Sequence, residues 1–140
     1  MYRDYESLFA TLEELQISFV AFSPLANGLL SDAYQQQDSF EDKADYRGSM
    51  PQFQKSAYEK NQALLALIRT IAKEKNCTPA QISLAWMICK KPYIIPIPGT
   101  RKSARLKENL GAGDVILTKE ECMQIDEKLS HMPISDLYGR

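Results

Sequence analysis

The chain has 140 residues, with 17 Lys and Arg against 18 Asp and Glu, one His, and a formal net charge of −1. A balance this even, with no basic arm, excludes general nucleic-acid affinity, which runs on an excess of cations. The apolar runs are far shorter than the roughly 20 residues that cross a bilayer, and no charged-then-apolar leader opens the chain, so the cytoplasm is expected rather than a membrane or secretion.

Leu8, Leu12 and Leu15 recur at helical spacing with Phe9 beside them, which predicts an amphipathic helix over about residues 4–16. Residues 17–22 are β-branched and aromatic, and read as a strand closed by Ser23-Pro24. From residue 27 to 53 the chain is polar and without periodicity, including Gln35-Gln36-Gln37-Asp38-Ser39, which points to a functional or mobile loop. Leu64, Leu67, Ile68 and Ile71 define a second helix ending near Asn76, a residue tolerant of a left-handed cap. Thr78 as N-cap and Pro79 at the first helical position open a third, with the stripe Ile82, Ala85, Trp86 and Cys89. A second strand covers about residues 93–97, and a fourth helix runs over about 102–110 and stops at Gly111. Thr118 and Glu121 form a capping box for a fifth helix, whose buried side is Met123, Ile125 and Leu129. No repeat and no interior linker interrupts this order, so residues 1–140 read as one domain.

Three features read blandly. Cys77, Cys89 and Cys122 are odd in number and widely spaced, so they suit buried or idle thiols in a reducing compartment rather than a zinc or disulfide framework. His131 has no partner at metal-ligand spacing and reads as a surface residue, and no metal site is expected. Trp86 belongs to a helix stripe and reads as core. Arg47, in the long polar stretch, faces a ligand or caps a helix carbonyl; the residues leave both open.

The stretch from Ile94 through Pro98, Gly99 and Thr100 to Asn109 carries the most chemistry. A strand, a tight turn and a helix whose first turn is basic aim backbone N–H groups and a positive helix end at one point. Arg101, Lys102 and Arg105 add charge there, so a phosphorylated ligand is the natural occupant. Gly99 suits a sharp turn and close approach to a ligand. Thr100 can donate a hydroxyl to a phosphate and cap the helix. Glu108 and Asn109, one turn after Arg105, suit the polar edge of a nucleobase. In isolation the same residues also make a solvated basic helix face. A second loop, Ser23-Pro24-Leu25-Ala26-Asn27, follows the first strand, where backbone N–H groups that leave the sheet can meet an anion.

These segments resemble the aldo-keto reductases, NADP-dependent oxidoreductases built on a (β/α)8 barrel. Residues 94–109 resemble the family's adenosine-phosphate site on the last strand and following helix, and residues 17–30 its seventh strand and the loop that crosses the cofactor pyrophosphate. Asp45-Tyr46-Arg47, Met50-Pro51-Gln52-Phe53 and Cys77-Thr78-Pro79-Ala80-Gln81 match connecting segments in order. The resemblance implies an α/β fold: a partial TIM (β/α)8 barrel with the last two strands and five or so helices, predominantly helical. It implies NADP held by Ser23, Pro24, Leu25, Asn27, Gly99, Thr100, Arg101, Arg105, Glu108 and Asn109, with Arg105 on the ribose 2′-phosphate. Such a barrel needs roughly 250 residues, and the family's catalytic Asp, Tyr, Lys and His belong to the part that this chain does not match. No catalytic residue is assigned.

The resemblance therefore implies carbonyl reduction with NADPH by descent, with the chain inactive alone. The alternative is a non-catalytic nucleotide-binding or interaction fragment that completes a barrel with another chain. Two strands cannot close a barrel, and Pro96 and Pro98 remove N–H donors from one edge of the second. A homodimer burying the strand at residues 17–22, or a complementary barrel half, is the expected partner.

Overall fold

The protein is described here from a computed structural model, which describes residues 6–34, 40 and 45–135. The Gln35–Ser39 patch and the expected first residues of the opening helix lie outside this set. In chain order the elements are α1 (Glu6–Glu14), β1 (Phe19–Phe22), α2 (Lys55–Glu74), α3 (Pro79–Lys90), β2 (Ile94–Ile97), α4 (Ser103–Leu110) and α5 (Lys119–His131), with short 3-10 turns between several of them.

Local chemistry sets most boundaries. At the end of α1 Gln16 adopts φ 54°, and Ile17 N–H donates back to Leu12 O at 2.9 Å, closing the helix with a left-handed cap. Asn76 (φ 52°) does the same for α2, with Cys77 N–H on Ala72 O at 2.9 Å. Thr78 caps α3 as the sequence predicts, and Gln81 completes a capping box by accepting Thr78 N–H at 2.9 Å. The Thr118–Glu121 box opens α5 with both bonds made. Gly111 is not a left-handed stop. Its φ is −62° and the chain continues into a 3-10 turn over Gly111–Asp114. Glycine serves there because a Cβ would run into the Gln81 amide, which donates to Glu108 O at 3.0 Å and ties the start of α3 to the end of α4.

The core has two sides, with α3 between them. Ile82 and Ala85 meet Leu64, Ile68 and Ala72 of α2 and Ile125 of α5. On the other side Met87 joins Phe9, Leu12, Phe19, Ala21, Tyr93 and Ile94 beneath the sheet. Phe9 meets the Phe19 ring edge-on at 5.6 Å, and Tyr93 OH donates to Phe9 O at 3.0 Å, so α1 is fixed against both strands. Leu8 and Leu15 are exposed instead, because Phe9 and Leu12 alone point into this cluster. On α5 the buried side is Cys122 and Ile125 with Leu129 half-buried; Met123 is exposed, since it sits one residue, about 100° of helix, away from that row. Burial and the neighbouring Cys89 thiol push Cys122 up to about 12, so it is inert at neutral pH. Trp86 is core as read, its Nε1 donating to Asp126 Oδ1 at 2.9 Å.

β1 and β2 pair in parallel, Phe19 with Ile94 through Phe22 with Ile97. Asn61, fully buried in α2, donates to Ser135 Oγ at 2.9 Å and accepts Ser135 N–H at 3.1 Å, so the stretch after α5 is fastened to α2.

One pH dependence follows from the caps. The Lys75 ammonium and the Thr118 N–H hold the Glu121 carboxyl below its ordinary 4.5. A depressed folded-state pKa means stability that is fully present above the ordinary value and lost as pH falls through the folded one. Glu121→Gln keeps the cap acceptor and drops the charge. Thermal midpoints of the two proteins should differ at pH 7 and converge below pH ~4; a constant gap across that range would contradict the assignment.

Candidate functional site

Because the strands are parallel and in register, Ser23 and Pro98 leave the sheet at the same end. The two loops read as ligand contacts therefore start from the same end of the sheet.

The loop after β1 carries unusual backbone. Ser23, Ala26 and Asn27 have φ of 49°, 47° and 58°, and Gly28 has φ 99°. Such left-handed residues persist only when surroundings over-determine them. Here Ala26 and Leu29 are buried on Leu65, with Leu30 and Phe53 against them. Asp32 takes a two-pronged hydrogen bond from Arg69 of α2 at 2.6 and 2.5 Å, and Ser83 of α3 reaches Leu30 O at 3.3 Å. Several loop donors are already spent: Ala26 N–H goes to Ser23 O and Gly28 N–H to Leu25 O, both at 2.9 Å. The Asn27 side chain is held by Ser23 Oγ at 3.2 Å, Tyr46 OH at 3.4 Å and Met50 Sδ at 3.4 Å. Pro24 is buried and Leu25 half-buried, so the apolar lid read at Leu25 remains accessible.

Among the described residues Arg47 bonds to side chains rather than to a helix carbonyl. Its guanidinium pairs with Asp45, donates to Tyr34 OH, and lies 4.8 and 4.9 Å from the Tyr34 and Phe40 ring centres. The carboxylate lifts Arg47 above its usual range, and the same bond holds Asp45 below its own. This clasp, with Phe53 edge-on to both rings, was not legible in the sequence because its members are scattered from Tyr34 to Phe53 with no periodic pattern.

On the second loop, Thr100 Oγ1 accepts Lys102 N–H at 3.1 Å, which shapes the turn rather than capping α4. The cap position is Lys102, and no side chain bonds to the first turn of α4. Those N–H groups point outward with the positive helix end. Arg101, Lys102 and Arg105 are exposed beside them, and none meets a carboxylate among the described residues. This contrasts with Arg47, Arg69, Lys75, Lys90 and Lys91, all paired. Glu108 and Asn109 are half-buried. Gly99 is exposed, has no left-handed φ, and a Cβ there would meet nothing within 4 Å. Among the described residues nothing demands glycine at 99.

A shallow cavity of about 350 Å³ lined by Lys75, Asn76, Cys77, Gln81, Gly111, Asp114, Val115 and Ile116 shares no residue with the two loops. No group of three or more His, Cys, Asp or Glu among the described residues is placed to hold a metal, and none of the described helices is long and apolar enough to cross a membrane.

The loop geometry gives a test of its own. A Cβ on Gly28 would lie 2.7 Å from Tyr34 Cε2 as well as sit at positive φ. Gly28→Ala should destabilise the fold by about 1–3 kcal/mol, read as a lowered thermal midpoint with faster amide exchange over Ala26–Ser31. An unchanged midpoint would mean that the loop is not held as described.

Comparison with known proteins agrees with this geometry. A sequence profile of the aldo/keto reductase family matches residues 1–130. The chain is 40% identical over 115 residues to the aldo-keto reductase str7 of Strobilurus tenacellus, covering 82% of this chain and 34% of that protein. It is also 40% identical over 114 residues to the aldo-keto reductase yakc of Schizosaccharomyces pombe, a protein whose name specifies NADP(+), covering 81% and 33%. Among solved structures it matches the glycerol dehydrogenase AKR11B4 of Gluconobacter oxydans with a TM-score of 0.71 at 26% identity, over 86% of this chain and 36% of that one. It matches the thermostable aldo-keto reductase Tm1743, solved with the inhibitor epalrestat, with a TM-score of 0.59 at 25% identity, over 89% and 34%. Both are TIM barrels. The chain spans about a third of the length of the curated relatives it matches.

Proposed function

The chain belongs to the aldo/keto reductase family, and on that footing we propose that it holds the adenosine-phosphate end of NADP(H) between its two strand-end loops. One observation carries this reading. The uncapped start of α4 and three cations with no carboxylate partner among the described residues, Arg101, Lys102 and Arg105, lie on the loop after β2 and the first turn of α4, at the end of the sheet from which Ser23–Asn27 also leaves.

The residues fit that end of the cofactor. The N–H groups opening α4 and the Thr100 hydroxyl, whose hydrogen is not used by the Lys102 bond, are donors for a phosphate. Arg105, one turn in, offers a planar fork suited to a second, 2′-phosphate, which distinguishes NADP from NAD. Leu25 supplies an apolar surface for the sugar, and Glu108 and Asn109 an acceptor and an amide for the base edge. The bound cofactor would supply hydride to a carbonyl carbon. The groups that protonate the carbonyl oxygen in the family are not matched in this chain, so we read its own contribution as cofactor binding within an NADPH-dependent carbonyl reductase, without turnover by these residues alone. Three free cysteines and a near-neutral charge favour a cytoplasmic setting.

Calorimetric titration tests this. Adenosine 2′,5′-bisphosphate and NADPH should bind with similar, weak affinity, and NAD more weakly. A charge-assisted hydrogen bond contributes about 1.5–3 kcal/mol, so Arg105→Ala should weaken both 2′-phosphorylated ligands at least tenfold, to the point of undetectable binding. NADPH binding far more tightly than the bisphosphate would reveal a nicotinamide contact within the chain, and no binding of either would sink the proposal.

A further inference from the structure

Where α3 meets α5, each helix carries a cysteine. Cys89 is the last residue but one of α3, and Cys122 stands in the first turn of α5. The Cys89 thiol donates to Leu117 O at 3.4 Å and lies 3.8 Å from Thr118 O. The same Thr118 carbonyl accepts the Cys122 N–H at 2.9 Å, so one oxygen meets the side chain of one cysteine and the backbone of the other. The two thiols are themselves hydrogen-bonding neighbours. Cys89 also packs on the cluster that holds Ile82, Ala85, Leu117 and Ile125.

Burial separates their roles. Cys122 is 5% exposed and out of reach of a reagent in water, whereas Cys89 is half-buried. Shortening a thiol contact to the roughly 2 Å of a sulfur–sulfur bond asks one side chain to shift. Cys89 is placed to do so. α3 ends at Lys90, Lys91 is already extended at φ −152° and ψ 134°, and helix ends open at little cost. Cys77 precedes α3, about 18 Å of helix away from Cys89 at 1.5 Å per residue, and is no partner.

We propose that Cys89 and Cys122 form a reversible disulfide, with Cys89 the sulfur that meets a hydroperoxide and Cys122 the thiol that resolves it. In the first step the Cys89 thiolate attacks the peroxide. A sulfur–oxygen bond forms, the oxygen–oxygen bond breaks, and hydroxide leaves as water with the proton that Cys89 gave up. In the second step the Cys122 sulfur attacks the Cys89 sulfur. The sulfur–sulfur bond forms, the sulfur–oxygen bond breaks, and the departing hydroxide takes the Cys122 proton as water. The two thiols lose two electrons and two protons, and one peroxide becomes two waters. A buried thiol that is inert to reagents in solution suits the second role, because its neighbour delivers the electrophile to it.

The bridge has a consequence for the rest of the chain. Between the two cysteines lie β2, the turn at residues 98–102 and all of α4. Oxidation closes that segment into a covalent loop, and a long closed loop removes freedom from the unfolded chain. The oxidised protein is then the more stable form. This rests on the two thiols and not on nucleotide binding, so titration can fail while the bridge forms, and the reverse.

The full 140-residue chain, first fully reduced, is exposed to a small excess of hydrogen peroxide. Peptide mapping without reductant should find Cys89 joined to Cys122, two hydrogen atoms lighter than the separate thiols, with Cys77 still free. The thermal midpoint should rise by about 5–10 °C and return on adding dithiothreitol. Cys122→Ala should leave Cys89 as a sulfenic acid that dimedone traps, and Cys77→Ser should change neither the bridge nor the shift. A bridge through Cys77, or disulfide-linked dimers in place of the internal bond, overturns the proposal. So does Cys89 driven to the sulfinic acid with Cys122 still free, and so do three thiols that all stay reduced.

Discussion

Four successive buried residues, Ile82, Ser83, Leu84 and Ala85, place α3 where it must be covered on every side. A turn of helix buried all round cannot lie on a surface, and the rest of the chain is arranged to cover this one. α2 and α5 cover one side, and the sheet with α1 covers another. The remaining polar groups of α3 are then turned to use. Ser83 steadies Leu30 in the loop after β1, and Gln81 steadies Glu108 at the end of α4. The loop after β1 and the end of α4 are therefore both tied to one helix, although they lie far apart in the sequence.

That common support matters because the charges themselves are only loosely confined. Arg101, Lys102 and Arg105 are exposed, and salt screens exposed charge within about 10 Å. Their position in a chain of net charge −1 makes them a local feature rather than a global field. Attraction at long range is thus weak, and under the proposed function selectivity would come from geometry: where the turn ends, which N–H groups open α4, and how a guanidinium fork would meet two phosphate oxygens. The Arg47 clasp illustrates the opposite use of the same residue type. There the charge is spent on Asp45 and two aromatic rings, and it orders the 3-10 turn over Tyr46–Ser49, whose Tyr46 hydroxyl bonds to Asn27.

The sequence was most legible where structure is decided within one turn of chain. Thr78 with Pro79, Thr118 with Glu121, and Asn76 act on backbone groups three to five positions away, and all three caps form. Both strands were readable for the same reason. Which apolar residues are covered was not. Leu8, Leu15 and Met123 fit a helical pattern but stand exposed, because coverage depends on what packs from a distance. Among the proposed ligand contacts, the basic first turn of α4 was legible as a pattern. The spent N–H groups of Ala26 and Gly28, the lateral role of Thr100 and the lack of any internal demand for Gly99 depend on φ angles and neighbours that no spacing encodes.

The bonds from Asn61 to Ser135 join positions 74 residues apart. Asn61 is fully buried, and a buried amide without partners is costly. During synthesis α2 emerges from the ribosome long before residue 135 does. Until then Asn61 needs water, and the side of α2 that carries it must stay wet. Full burial of the Asn61 side of α2 therefore waits for the late segment.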